Sequence, residues 1–569
     1  LSAHSPRSKS RTRRRLLLGS LAALGAVVLA ACGSSGGGKS PSPSSSGGSS
    51  SGAGSSAAGG GGKPITIGTT DQVVALDPAG SYDNGSLLLE DNIYQFLLNV
   101  PAGGKAPEPD AAQKCDFTSP TTYSCTLKPG QKFSNGDALT ANDVVFTFNR
   151  ILKINDPNGP ASLIGNMASV KATDANTVVF TLKNPNDQTW PFVLGTSAGP
   201  IVDSKVFPAD KLLADDKVVG SGPYMLGAGY QKNQLVSLKA NPNYAGPNKP
   251  KTSDITLKYY TQSNNMKLDV QSGQIDIAWR SLAPTDVDAL GKDSNVNVLT
   301  GAGGELRYMV FNFKTMPGGT DAQKLAVRRA IAYSVDRTDL AQNVYKGTYQ
   351  PAYSMIPDGI ADATTPFKDT YGSAPNAEKA KSVLSAAGVS TPVSLNLDYT
   401  TDHYGPTSAD EWNEIKRQLE ATKLFKVTIN GTAWTSYNAN RVKDTYSIYQ
   451  LGWFPDFVDG DNYLLPFLGN NNFVHAHYCD ADANNKPTGT NRPCDQDGVL
   501  PLLTKEETQT GTARTQAFAD LQSKLATGTL PLLPLLSGKQ VAVTGKSISG
   551  VQDTLDPTYQ FRMWLFSKS

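Results

Sequence analysis

Several stretches of the chain carry residue types whose spacing could do chemistry. Gly33-Ser34-Ser35-Gly36-Gly37-Gly38-Lys39-Ser40 fits GxxxxGKS, the spacing of a phosphate-cradling loop. Such a loop works only between a strand and a helix, whose first N–H groups hold the phosphates. Here an apolar leader precedes it and Pro-Ser-Pro-Ser follows, so no nucleotide site is expected. Gly195-Thr196-Ser197-Ala198-Gly199 fits GxSxG, the nucleophile elbow of hydrolases, and follows the apolar run Pro191 to Leu194. The elbow must feed a helix, whereas Pro200-Ile201-Val202 favours extended chain. A secreted hydrolase is therefore the lesser alternative, and no catalytic residue is assigned. Asp456 and Asp459, or Asp215 and Asp216, would serve glycoside hydrolysis only if held at a fixed separation across a cleft. They read as turn aspartates. His475 and His477 lie near Cys479, but there is no CxxC and the histidines alternate on a strand-like stretch. Neither a metal site nor a cofactor is expected.

The remaining cysteines point to export. Beyond Cys32 there are four: Cys115, Cys125, Cys479 and Cys494. An even number in an exported chain suggests disulfides. Three pairings are possible, and short separation favours Cys115–Cys125 with Cys479–Cys494. Ser119-Pro120 between the first two reads as a turn joining two strands. Export itself is written at the front, where Arg13-Arg14-Arg15 precedes the apolar run Leu16 to Ala31. A basic segment followed by a short apolar one is a secretory signal, through either the Sec or the twin-arginine route. The run spans about 24 Å, short of the ~30 Å hydrocarbon core. It ends Leu29-Ala30-Ala31-Cys32, which resembles a lipobox, so Cys32 is the expected lipidation site. Residues 33–63 are almost wholly Gly, Ser, Ala and Pro, a tether that cannot bury enough apolar area to fold.

Charge excludes other classes. The chain of 569 residues holds 52 basic and 50 acidic groups. Six of the basic groups and none of the acidic ones fall in residues 1–31, so the remainder is mildly acidic. No basic stripe marks a nucleic-acid binder, and nothing beyond the leader is long and apolar enough to span a membrane.

The body alternates strands and helices. Ile65 to Gly68, Val178 to Leu182, Val236 to Lys239 and Ile255 to Lys258 have the β-branched or alternating pattern of strands. Thr140 to Leu152 reads as a helix, with Thr140 as cap, Asp143 three residues on, and Val144, Phe148 and Ile151 on one face. Val327, Ile331 and Val335 mark a second helix face, and Trp412, Ile415 and Leu419 a third. About 500 residues of this mixture imply an α/β protein of two large lobes.

Several stretches then match one family in order. Leu127-Lys128-Pro129-Gly130-Gln131-Lys132-Phe133-Ser134-Asn135-Gly136-Asp137-Ala138-Leu139-Thr140-Ala141-Asn142-Asp143-Val144-Val145-Phe146 strongly resembles the signature of bacterial extracellular solute-binding proteins of the peptide/nickel type. Val219-Gly220-Ser221-Gly222-Pro223-Tyr224 is similar to that family's GTGPY turn, with Ser for Thr. Ser272 to Ile277, Val327 to Arg337 and Gly452-Trp453-Phe454-Pro455-Asp456 resemble its further elements. The resemblance implies a two-lobed periplasmic-binding-protein-like fold closing on a ligand around a hinge. It implies a discontinuous first lobe (64–83, 197–300 and 525–569), a small inserted domain (84–196) and a second lobe (301–524). The crossings would fall near Gly303-Gly304 and Gly528. It implies a monomeric, non-enzymatic receptor on the outer face of the cytoplasmic membrane that serves the permease subunits of an ABC importer. An oligopeptide is the leading ligand, and an oligosaccharide or metal chelate the alternative. In peptide-binding relatives the aspartate of the GWxxD element pairs with the ligand's ammonium. Carried over, Asp456 takes that role, Gly452 and Phe454 offer backbone groups, and Trp453 forms a packing wall. No residue for a ligand carboxylate is identifiable from the sequence.

Overall fold

The computed structural model describes residues 62–469, 474, 476–478 and 498–569. The leader, Cys32, the GxxxxGKS stretch, His475, Cys479 and Cys494 lie outside them.

Three sheets organise the body. The first has seven strands in the order Val296–Gly301, Gln540–Gly545, Ile277–Trp279, Ile65–Thr69, Asp254–Tyr259, Leu235–Ala240, Tyr224–Leu226. Ile65–Thr69 runs parallel to both its neighbours, and the outer pairs are antiparallel. The central strands alternate buried Ile65 and Ile67 with buried Ile255 and Leu257, the period-2 pattern that predicts them. The second sheet has six strands in the order Tyr349–Pro351, Leu532–Gly538, Leu306–Phe311, Ile448–Trp453, Val393–Thr400, Phe425–Thr432. The third is a four-stranded antiparallel sheet, Ala112–Ser119, Thr122–Leu127, Thr177–Leu182, Met167–Ala172. Its first two strands form a hairpin that turns at Pro120 and is joined across by the Cys115–Cys125 disulfide.

Each expected helix is present. The helix Ala141–Ile154 opens with the Asp143 carboxylate accepting from the Thr140 backbone N–H at 2.9 Å and from its hydroxyl at 2.8 Å. The other Asp143 oxygen accepts from the Ser204 N–H and hydroxyl, which ties the helix to the following segment. Gly136, at φ 95°, lets the preceding turn fold back so that Phe133 and Asp137 bond across it. Helix Asp321–Ser334 starts at the Thr320 cap. Helix Ser408–Ala421 buries Trp412, Ile415 and Leu419 on one face.

Two of the expected boundaries move. The segment 525–538 belongs to the second lobe rather than the first. Its strand Leu532–Gly538 is buried at every residue and pairs with Leu306–Phe311 inside the six-stranded sheet. Gly528 only ends the helix Gly511–Thr527. Arg328 donates to the Thr529 carbonyl at 2.8 Å, Arg329 to Thr527 at 2.7 Å and Arg337 to Pro534 at 2.8 Å, so three arginines of the Val327 to Arg337 stretch pin this return. Cations at a helix C-terminus suit its unpaired carbonyls. The second crossing is therefore at Gly538 to Gln540. It runs beside the first, where a Cβ on Gly303 would lie 2.1 Å from the Gly538 carbonyl oxygen. The inserted domain also starts later than residue 84. Leu88, Leu89 and Ile93 of helix Asn84–Ile93 pack with Ile65 and Ile67 in the first-lobe core, while the insert's own core draws on residues from Leu97 to Ile201, joined by Ala79 from the first lobe.

Candidate functional site

A cavity of about 520 Å³ opens where the lobes meet at the paired crossings. That size falls in the range of small-ligand sites, roughly 300–1,000 Å³. Arg280 and Ser281, just after strand Ile277–Trp279, line it from the first lobe. Glu305, Arg307, Tyr349, His403 and Tyr404 line it from the second lobe, and Gln540 and Tyr559 from the hinge side.

The second-lobe wall is built on Arg307, which is only 3% exposed within the strand Leu306–Phe311. Its guanidinium pairs closely with Glu305, donates to the Tyr349 hydroxyl at 3.2 Å and lies 4.1 Å from the Tyr404 ring centre. Tyr349 in turn donates to Glu305 at 2.7 Å. Behind Arg307, the Glu411 carboxylate accepts from the Tyr345 hydroxyl at 2.8 Å and from Gln450 at 3.2 Å. Burial pushes the Glu411 carboxyl up to about 7, against the pull of Arg307 and these donors. His403 stacks on Trp434 with centroids 3.7 Å apart. Burial and the Arg307 charge push it down to about 4, so it is neutral near pH 7.

On the opposite wall the Arg280 Nε lies 3.3 Å from Asp71. Its guanidinium sits over the rings of Trp279, Phe454 and Tyr559, at 5.4, 5.8 and 5.2 Å. The Tyr559 hydroxyl accepts from the Glu305 N–H at 3.0 Å, which links the hinge to the second lobe.

The GWxxD residues end the strand Ile448–Trp453 beside this cavity. Phe454 lines it and meets Tyr559 edge-on at 5.8 Å. The cavity wall does not include Gly452, Trp453 or Asp456. The Gly452 carbonyl accepts from the Tyr404 hydroxyl at 3.3 Å, and a Cβ there would come 2.7 Å from Arg307 Nη1. Glycine at 452 thus makes room for Arg307. Trp453 packs edge-on against Phe467 at 5.2 Å and donates to Asn462 at 3.0 Å. Asp456 is half-buried. One of its oxygens accepts closely from the Tyr82 hydroxyl, and the other accepts from Asn462 at 3.1 Å. Burial raises the Asp456 carboxyl, and the bonds from Tyr82 and Asn462 oppose the rise. Tyr82 precedes the first-lobe helix Asn84–Ile93, so its bond to Asp456 crosses between the lobes.

The other motifs fall elsewhere. Ser197 is 5% exposed, follows the helical turn Trp190–Val193 and precedes extended chain, which is not the geometry of an elbow. His477 pairs with Asp444. Sequence spacing missed Arg280, Arg307, His403, Tyr404 and Tyr559. The available signal was a lone arginine inside an otherwise apolar strand, Leu306-Arg307-Tyr308-Met309-Val310-Phe311.

The chain resembles known proteins along most of its length. It is 27% identical over 439 residues to di/tripeptide-binding protein 1 of Pseudomonas aeruginosa, covering 71% of this chain and 79% of that one. It is 24% identical over 518 residues to the oligopeptide-binding protein OppA of Bacillus subtilis, covering 86% and 90%. Among solved structures, the ABC transporter substrate-binding protein CtaP of Listeria monocytogenes superposes with a TM-score of 0.74 at 22% identity, covering 89% of this chain and 99% of that one. The peptide-bound DppA of Helicobacter pylori does so at 0.68 and 20%, covering 89% and 98%. The fold is thus that of the two-lobed periplasmic binding proteins. The profile of the bacterial extracellular solute-binding proteins, family 5 (middle region), matches residues 106–474, and the chain belongs to that family.

Proposed function

We propose that this protein is a receptor that captures an oligopeptide between its lobes and delivers it, chemically unaltered, to an ABC importer. The observation that carries the reading is the cavity at the paired crossings, in a chain whose relatives are named for di-, tri- and oligopeptide binding. The Cys32 lipobox and Gly/Ser tether fit a lipid anchor on the outer face of the cytoplasmic membrane. Hinge closure is a recurrent way for two lobes to enclose a ligand.

Asp456 is the ammonium partner in this reading. The ligand's ammonium replaces the Tyr82 hydroxyl at the carboxylate, because a cation shut away from water needs a counter-charge. Phe454 supplies a wall, and Gly452 and Trp453 support it from behind. Native mass spectrometry of the purified chain, followed by calorimetry with di- to pentapeptides, tests the function. A co-purified peptide and saturable binding are expected, and conversion of the ligand would overturn it. Asp456→Ala should leave the fold intact, with a loss of about 1–2 kcal/mol of stability from the Asn462 amide that loses its acceptor, and weaken peptide binding by about 2–4 kcal/mol. Unchanged affinity removes Asp456 from the site.

A further inference from the structure

We infer that Asn462 is the residue that positions Asp456 for the ligand's ammonium, holding one carboxylate oxygen so that the other faces the first lobe. This rests on Asp456 being the ammonium partner. Asn462 is buried, and its side chain serves the Gly452 to Asp456 stretch. Its amide oxygen accepts from the Trp453 indole N–H at 3.0 Å and from the Asp456 backbone N–H at 2.9 Å. Its amide nitrogen donates to Asp456 Oδ2 at 3.1 Å. An indole and a backbone N–H can only donate, so the amide oxygen must face them and the nitrogen must face the carboxylate. One side chain thus fixes the tryptophan, and both the backbone and the carboxylate of the aspartate three residues on. Asp456 Oδ1 is left to the Tyr82 hydroxyl of the first lobe, whose place the ammonium takes. Once Tyr82 is displaced, the Asn462 amide is the side-chain donor that remains on the carboxylate.

The support for Asn462 is itself tied down. It sits in the helical turn Gly460–Tyr463, which is held at both ends. Before it, Asp459 takes Arg514 with both oxygens, at 2.7 and 2.8 Å, and accepts from the Asp461 N–H at 2.9 Å. After it, the Tyr463 hydroxyl donates to the Gly304 carbonyl at 2.7 Å, at the first crossing between the lobes. Asp459, Arg514, Tyr463 and Gly304 all lie outside the cavity wall, so they hold the turn rather than the ligand. A binding group keeps its geometry only when bonds of this kind lock its neighbours. The Asn462 donor also favours the charged carboxylate. Burial raises the Asp456 carboxyl, and the bonds from Tyr82 and Asn462 pull it down. The titratable groups that face Asp456 among the described residues are the Tyr82 and Tyr463 hydroxyls, both kept neutral by burial.

Calorimetry on the full chain would compare alanine peptides of two to five residues with their N-acetyl forms, between about pH 4 and 8. The proteins are the native chain, Asn462→Ala, Asp456→Ala and the double variant. Asn462→Ala is expected to weaken binding of the free peptides roughly ten- to a hundredfold and to leave the acetylated ones unaffected. The double variant should bind no more weakly than Asp456→Ala, because Asn462 acts through Asp456. Native affinity for the free peptides should fall on acidification, as Asp456 takes up a proton. In Asn462→Ala that fall should begin at higher pH, because the charged carboxylate has lost a donor. Asn462→Ser, whose hydroxyl lets water bond in the gap, covers the case in which the alanine variant fails to fold. Equal losses for free and acetylated peptides, or additive losses in the double variant, make Asn462 a structural residue and overturn the inference while Asp456 keeps its role. Native-like binding by the folded Asn462 variants does the same. Free-peptide binding that Asp456→Ala leaves unchanged overturns the ammonium reading and the inference with it, as does a native protein with no preference for free over acetylated peptides.

Discussion

Arg150 and Arg307 are equally buried, at 3% exposure each, yet their surroundings differ. Arg150 lies where the inserted domain meets the first lobe. Its two terminal nitrogens grip Asp77 at 2.6 Å each, its Nε donates to the Pro208 carbonyl at 2.6 Å, and Nη2 also reaches Lys211 at 2.7 Å. Asp77 is shared further with the N–H groups of Ala79 and Leu213. Arg307 holds Glu305 through one nitrogen and leaves two others bare. Burial alone does not separate scaffold from site. What separates them is whether the protein itself completes the hydrogen bonding of the buried group, because only an incomplete group gains from a guest.

The largest effect expected from this contrast is on folding. Arg150→Ala leaves Asp77 buried without its counter-charge and should cost about 3–5 kcal/mol of stability. Arg307→Gln should cost less, about 1–2 kcal/mol, because Tyr349 still donates to Glu305. Denaturant midpoints of the two variants measure the difference. Equal losses would break the comparison by making Arg307 as structural as Arg150.

That distinction was only partly legible in the sequence. Period-2 and helical patterns located the strands around Ile65, Val178, Val236 and Ile255, and the Thr140 and Trp412 helices, because each is written in neighbouring residues. Gly528 misled the boundary, since a glycine can end a helix without ending a lobe. The run from Leu530 to Leu536 was the better signal, as a strand buried on both faces belongs inside a sheet. The cavity was the least legible part. It joins Glu305 to Tyr559, 254 positions away, and no local spacing encodes that meeting. The GWxxD residues were locatable as a strand end, but Arg307 and Tyr404, which fill the space beside Gly452, were not.

A second effect concerns pH and sharpens the picture of the Arg307 wall. Glu411 is fully buried, and its carboxyl is raised from 4.5 to about 7. The folded chain therefore keeps a proton that the unfolded chain releases. The stability linked to that proton is full below about 4.5, falls as pH rises, and is lost by the time pH passes 7. The change across that window is on the order of 3 kcal/mol. Glu411→Gln keeps a neutral side chain of similar shape and should flatten the slope of melting temperature between pH 4.5 and 7. An unaltered slope would mean that Glu411 is ionised in the fold, balanced by Arg307, and that the Arg307 wall is more nearly satisfied than its bare nitrogens indicate.

The smallest effect belongs to the scaffold side. The motif from Leu127 to Phe146 carries the strongest family resemblance, yet its polar groups serve the scaffold, bonding one another and the neighbouring Asp203, Ser204 and Lys205. Thr140 and Asp143 close the start of the helix Ala141–Ile154, and Asp143 also holds Ser204. Thr140→Ala removes one hydroxyl and keeps the backbone N–H bond to Asp143, so the loss should be about 1 kcal/mol. Ligand affinity should not change, because nothing in this segment lines the cavity. Calorimetry and thermal melting on the same variant read both quantities. A shift in affinity larger than the shift in stability would show that the motif reaches the ligand, and would place part of the recognition in the inserted domain.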